Sequence, residues 1–327
     1  MNGSVIAPLV IDSIALRNGA LRLPRLALGC GNFGGIGSAP AFFGRGLSDD
    51  QATHLMDAAW ELGLTHFDTA DAYGGGRSEA AVGAWIASRG VRPTLTTKTF
   101  HPMSAQADRG LAPDRIRRQL AASLDRLGVD VVELYLAHEY DPDVPLGETL
   151  AAFEQLRRDG AIRAHGVSNF DGDQLTRALQ ESPSTPPAAV QNSYSLLERG
   201  DERDVLALCE RREVAYCVFS PLCGGWLTGK YRRGVAYPPG SRMTQRPEPY
   251  AALATERTFT ALEALARMAR ARGTSMAGVA LAWLLADARV AQIVIGPGRP
   301  EHLAPVREAL EHPLDPAEHA HVSELFG

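Results

Sequence analysis

The sequence predicts a closed (β/α)8 barrel of the TIM-barrel class as a single domain over residues 1–327, with a β-hairpin before the first barrel strand and extra helices at the C-terminus. Three observations carry this reading. Eight short strand-like runs alternate with segments of helical periodicity, the pattern of βα units around a parallel sheet. Glycines stand where the helices should stop, at Gly63, Gly90, Gly128, Gly160 and Gly273. No linker or shift in composition divides the 327 residues, a length that α/β barrels reach as one unit.

Taken in order, residues Val10 to Arg25 read as a hairpin around Arg17-Asn18-Gly19 that would cap the barrel floor. The barrel strands follow at Arg25–Phe33, His66–Ala70, Thr94–Thr99, Val131–His138, Ala161–Asn169, Ala188–Ser195, Val214–Ser220 and Ala291–Gly296. Between them, Ile116, Leu120, Leu124 and Leu127 share one helical face, as do Leu146, Leu150, Phe153 and Leu156. Ser48 with Gln51 three residues later predicts a capping box. The apolar run Met276–Ala286 is too short to cross a bilayer and reads as a buried core helix. The longest gap separates the seventh and eighth strands, and it holds a Pro/Gly-rich loop, Tyr237 to Tyr250, before two helical patterns. Such loops are usually functional, and this one follows the strand end where barrels keep their active sites.

Composition narrows the function classes. A net charge of -5, from 33 basic and 38 acidic residues mixed along the chain, offers no run of one sign to a nucleic acid or a lipid surface. The four cysteines, Cys30, Cys209, Cys217 and Cys223, match neither a metal-binding pair nor a disulfide framework, and no residues suggest a metal site. Before Arg17 there is no basic residue, and Pro8 interrupts the apolar stretch, so the reading is a cytoplasmic chain without a secretory signal.

Gly29, Gly31 and Gly34 form a GxGxxG match after a strand. A dinucleotide fingerprint needs a helix opening at the third glycine, whereas here no helix is expected before Ser48. The match reads as a rim loop.

The chemistry lies elsewhere. Asp68 falls at the end of the second strand, Tyr73 in the loop beyond it, Lys98 at the end of the third strand and His138 at the end of the fourth. Each has a structural alternative: a capping Asp, a rim-packing Tyr, a solvated Lys, a satisfied core His. Their convergence on one barrel mouth selects the chemical reading. Tyrosine keeps its proton at neutral pH, a neighbouring ammonium favours the phenolate, and a carboxylate fixes that ammonium in place, so Lys98 and Asp68 would tune Tyr73 towards proton donation. His138 would orient a carbonyl oxygen by a hydrogen bond.

These motifs resemble the aldo-keto reductase superfamily over nearly the whole chain: FDTADAYGGGRSE, TTKT, LYLAH and IRAHGVSNF match its Asp-Tyr segment and its lysine, histidine and fifth strands. The resemblance implies hydride transfer from a nicotinamide cofactor to a carbonyl carbon, with Tyr73 as general acid. It implies that Ser168, Asn169 and Gln191 hold the nicotinamide carboxamide, that Phe219 stacks on the ring, and that Gly31, Asn32 and Phe33 on the rim lie against the cofactor. Ser220-Pro221-Leu222 and Gly224-Gly225-Trp226-Leu227-Thr228-Gly229-Lys230-Tyr231 are similar to the pyrophosphate loop of the aflatoxin-aldehyde reductase and potassium-channel β-subunit branches.

Two departures stand out. Glu139-Tyr140 follows the histidine where some relatives have Trp-Pro, and His302-Leu303-Ala304-Pro305-Val306 stands where many read Gln-x-x-Glu-Asn around the adenine. Gly296, Gly298 and Arg299 after the eighth strand, with a short helix opening near Pro300 and running to Leu310, are expected at the 2′-phosphate of NADP(H), NAD(H) staying open. Phe33, Phe42, Phe43, Phe100, His101, Tyr140 and Trp226 are candidates for an aromatic-rich substrate pocket, with barrel packing the alternative for several of them. The expected partner is a small carbonyl substrate. A homo-oligomer, a non-catalytic nicotinamide-binding subunit and physiological alcohol or sugar oxidation stay open as alternatives.

Overall fold

In the computed structural model, which describes residues 9–16 and 21–327, hydrogen bonds close eight parallel strands into a ring. Two short strands precede it, β1 (Ser13–Ala15) and β2 (Arg22–Pro24), paired antiparallel with Ile14 opposite Leu23. The predicted turn at Arg17-Asn18-Gly19 lies outside the described residues. The barrel strands are β3 (Leu26–Gly29), β4 (His66–Asp68), β5 (Thr94–Thr99), β6 (Val132–Ala137), β7 (Ile162–Ser168), β8 (Ala189–Ser193), β9 (Ala215–Phe219) and β10 (Val290–Ile295), with β10 closing onto β3.

Strand alternation separates two apolar environments. Leu134, Leu136, Ala164, Ala189 and Cys217 cluster in the lumen with Leu16 and Leu23, so the hairpin packs into the barrel floor as expected. Tyr135, Val167, Val190 and Val218 face the other way, into the larger core beneath the helices, where the Tyr135 and Phe153 rings lie 5.0 Å apart. Registered neighbours in a parallel ladder share a face. Lys98 pairs with Leu136, and Asp68 with Thr96, which pairs with Leu134. Asp68 and Lys98 therefore belong to the lumen side, at strand ends.

Six helices return between successive barrel strands: α1 (Asp49–Leu62), α2 (Arg77–Arg89), α3 (Pro113–Leu127), α4 (Leu146–Arg158), α5 (Gly172–Glu181) and α6 (Val205–Arg212). The Ser48–Gln51 capping box is present, and Gly63 ends α1 in the left-handed conformation. The predicted faces of α3 and α4 are the buried ones, Leu124 only partly. Beyond β9 come a short α7 (Arg242–Gln245), then α8 (Glu256–Ala271) and the buried α9 (Met276–Ala286). A 3-10 turn at Pro300–Leu303 leads into α10 (Ala304–Glu311), and α11 (Pro316–Leu325) completes the extra helices.

Boundaries differ most at the first strand, predicted to reach Phe33. It ends at Gly29 because the chain turns at once, the Phe33 N–H donating to the Cys30 carbonyl at 3.0 Å. Apart from one 3-10 turn at Pro40–Phe42, no helix opens between Gly34 and α1, so the glycine-rich match is a rim loop.

Candidate active site

Tyr73 stands in a tight turn just beyond β4. The turn needs glycine at Gly74, whose φ is 60° and whose added Cβ would meet the Phe33 carbonyl oxygen at 2.7 Å. Across the mouth, Lys98 Nζ donates to Asp68 Oδ1 at 2.5 Å and to the Thr69 carbonyl at 3.0 Å, and reaches the Tyr73 hydroxyl at 3.5 Å. Lys98 and Asp68 side chains are 1% and 3% exposed, a buried ion pair. The Tyr73 and His138 rings meet edge-on at 5.5 Å. All four predicted chemical residues thus come together.

Burial pushes the Tyr73 phenol above its ordinary value, and the Lys98 ammonium pulls it down without offsetting that push. The expected tuning exists as an opposing pull, but its net direction is upward. For Lys98, burial works against the charge, yet Asp68 and then Tyr73 outweigh it and hold the ammonium above its ordinary value. His138 goes well below, pressed by burial, then Lys98 and His101, so its imidazole is neutral. Its Nδ1 is buried without a partner among the described residues.

Behind this set, Asp71 accepts from Thr99 Oγ1 at 2.7 Å, and burial with the nearby Glu79 pushes its carboxyl up to about 7. Glu79 is balanced by Arg126 at 2.7 Å. All four cysteines are free and buried, and burial raises their thiols, which leaves no activated thiolate. No metal-binding cluster occurs among the described residues.

The expected carboxamide clamp is contiguous with the chemical set. Gln191 Nε2 donates to Asp68 Oδ2 at 2.8 Å, leaving the amide oxygen of Gln191 as an acceptor, and Ser168 Oγ donates to the Gln191 carbonyl at 2.7 Å. Asn169, at the end of β7, donates to the His138 carbonyl at 2.9 Å. Phe219 ends β9 half-buried. Among the described residues, three of the four non-glycine residues at positive φ are here: Asn169 (58°), Ser220 (56°) and Cys223 (47°). Left-handed backbone at such residues costs of order 1 kcal/mol and concentrates at ligand clamps.

In the loop after β9, Gly224 and Gly225 also have positive φ, and a Cβ would meet the Tyr250 ring at 2.6 Å and Lys230 Nζ at 2.3 Å respectively. Gly229 is left-handed too, with Pro221 buried and Leu222 half-buried nearby. Lys230 and Arg242 are depressed by partial burial and then by a neighbouring cation, Arg242 for Lys230 and Arg246 for Arg242. Neither has a carboxylate within 4 Å among the described residues, and Arg242 donates to Asn32 Oδ1. A glycine-lined loop bearing unbalanced cations fits a phosphate. Gly31 sits 3.6 Å, by an added Cβ, from the Tyr73 ring.

Several expectations change. The Phe33 ring is fully buried in the core, and so is Trp226, packed against Tyr231 at 5.1 Å, so both take the packing role. Phe42, Phe43, Phe100, His101 and Tyr140 are partly exposed. Gly296 and Gly298 are not at positive φ, and the Gly298 N–H donates to His302 Nδ1 at 3.2 Å, so that amide is not free. Arg299 Nε reaches His302 Nε2 at 3.0 Å, and a neutral imidazole accepts at only one of these nitrogens at a time. His302 is lowered by burial, then by Arg299 and Lys230, which brings the loops after β9 and β10 within electrostatic reach of each other. Arg242 and Tyr250 were not singled out from the sequence. Only the length of their loop signalled them.

Residues 25–326 match the aldo/keto reductase family. The chain is 35% identical over 312 residues to an uncharacterized oxidoreductase of Bacillus subtilis, covering 90% of each. To a putative voltage-gated potassium channel subunit beta of Schizosaccharomyces pombe it is 32% identical over 289 residues, 84% of this chain and 83% of that protein. Among solved structures, a glycerol dehydrogenase from Gluconobacter oxydans superposes with a TM-score of 0.81 at 28% identity, over 96% of this chain and 94% of that one.

Proposed function

The chain belongs to the aldo/keto reductase family, an oxidoreductase family, and on that premise we propose that it reduces an aldehyde or ketone to the alcohol with NADPH, Tyr73 giving the carbonyl oxygen its proton. The observation that carries the reading is Lys98, which bridges Asp68 and the Tyr73 hydroxyl inside the barrel mouth. When bound, the nicotinamide supplies the hydride that the carbonyl carbon takes up.

The remaining work falls to side chains. A phenol raised by burial keeps its proton at neutral pH. Lys98 donates to the phenolic oxygen, which leaves the O–H of Tyr73 for the substrate. Once that proton has gone, the same ammonium, still paired with Asp68, lies beside the phenolate and stabilises it. Neutral His138 offers a ring N–H to the carbonyl oxygen without competing as an acid. Ser168, Asn169 and Gln191 orient the carboxamide, Phe219 offers a ring face to the nicotinamide, and the glycine-lined loop with Lys230 takes the pyrophosphate. The preference for NADPH over NADH rests on Arg299, whose side chain is 69% exposed, and on its proximity to Lys230 through His302.

The test is oxidation of NADPH and of NADH by purified protein with a nitrobenzaldehyde panel. The reading expects carbonyl-dependent oxidation, more efficient with NADPH. Cofactor binding by fluorescence without any carbonyl-dependent oxidation would overturn the enzyme reading in favour of a nicotinamide-binding subunit.

A further inference from the structure

The mouth carries a polar pair that the reaction itself does not use. His101 lies just beyond β5, and its ring meets that of His138 at 4.8 Å. Glu139 directly follows His138, and its Oε1 lies 3.6 Å from His101 Nε2. From the proton donor outward, the order is Tyr73, His138, His101, Glu139.

Both residues are held from behind. Arg115, 3% exposed, donates Nη2 to the His101 carbonyl at 2.8 Å and Nη1 to Thr99 Oγ1 at 2.9 Å, which fixes the loop that carries His101. Asn169 Nδ2 donates to Glu139 Oε1 at 3.2 Å, and Tyr140 is pinned between Phe170, 5.5 Å away, and the Arg177 guanidinium. The two side chains nevertheless stay open to solvent, His101 at 27% and Glu139 at 36%.

We propose, resting on the reductase reading, that Glu139 with His101 makes the site select neutral hydroxylated carbonyl substrates, small hydroxyaldehydes or hydroxyketones, over those that carry a phosphate or carboxylate near the carbonyl. A carboxylate only accepts hydrogen bonds, so its ligand must donate. Both recorded contacts of Glu139 fall on Oε1, which leaves Oε2 with acceptor capacity for a substrate hydroxyl. An anionic substituent would meet a like charge. Among the described residues no Lys or Arg lies within 4 Å of Glu139 to neutralise it. The cations behind are committed, Lys98 to Asp68 and Arg115 to loop carbonyls and Asp108.

The test compares kcat/KM for glyceraldehyde and glyceraldehyde 3-phosphate, chemically matched but for the anion, in the wild type, Glu139→Gln and Glu139→Lys. The wild type should favour glyceraldehyde. Glu139→Gln should shift the ratio towards the phosphate ester by about tenfold, the scale of one like-charge contact in a half-exposed site, and Glu139→Lys should shift it further. Glu139→Gln keeps the shape of the side chain, so a folding failure of the lysine variant leaves the test intact. A wild type that reduces nitrobenzaldehyde while the ratio stays the same in the variants overturns the selectivity inference alone. A wild type that reduces no carbonyl at all overturns the reductase reading, and this inference with it.

Discussion

Lys98→Met tests the buried pair on which the chemical argument turns. The substitution preserves length and apolar volume but removes the ammonium, so Asp68 keeps only the Gln191 donor and loses the partner at 2.5 Å. Breaking a buried ion pair from one side costs about 3–5 kcal/mol, because a desolvated charge is left behind. Unfolding entropy near 2.1 cal/mol/K per residue gives roughly 0.7 kcal/mol/K for a chain this long, so the melting temperature should fall by about 4–7 °C. Adding Asp68→Asn removes the orphaned charge and should recover part of that loss. Catalytically, Lys98→Met strips the charge that opposes the upward push on Tyr73, so the loss should appear in kcat more than in KM. Calorimetry on the two variants, with steady-state kinetics on the single one, measures both effects. A melting temperature within about 1 °C of wild type would refute the buried-pair energetics. Undiminished kcat with weakened cofactor binding would refute the tuning of Tyr73.

Tyr73→Phe should lower kcat by roughly 10²–10⁴-fold, the span of general acid catalysis, while cofactor titrations stay close to wild type; near-normal carbonyl reduction would sink the assignment. His66, held at about 3, His165, at about 4, and His138, well below its ordinary value, are all pushed down by burial. Their folded values lie below the unfolded one, so stability should be level above about pH 6.5 and fall below it by about 1.4 kcal/mol per pH unit for each group. A flat urea-unfolding profile between about pH 6.5 and 5 would contradict their neutral burial. Phe219→Ala should weaken cofactor binding in fluorescence titrations by removing a ring face, and unchanged affinity would remove Phe219 from the site. For Arg299→Ala, the NADPH to NADH ratio of catalytic efficiencies should drop; an unchanged ratio would detach Arg299 from the 2′-phosphate.

Much of the architecture was legible because it rests on local and periodic signals. Leu120 and Leu127 mark the buried face of α3 by spacing, Ser48 and Gln51 cap α1 through a bond between near neighbours, and Gly63 stops it with a positive φ. Asp68, Tyr73, Lys98 and His138 were legible as a set because βα repetition brings successive strand ends to one mouth. Phe33 was left open between pocket and packing because an aromatic on a rim loop looks the same in sequence whether its ring turns to the mouth or to the core; its ring is buried in the core.

The sequence by itself therefore determined the strand order and the gathering of Asp68, Tyr73, Lys98 and His138 at one barrel mouth, both properties of spacing along the chain. Tertiary structure alone decided the direction of the Tyr73 shift, since burial and the Lys98 distance set it. It alone brought Arg242 to Asn32, 210 residues apart, and set His101 against Glu139 at the mouth. Such contacts depend on how loops from different strands fold over one another, and no local periodicity records them.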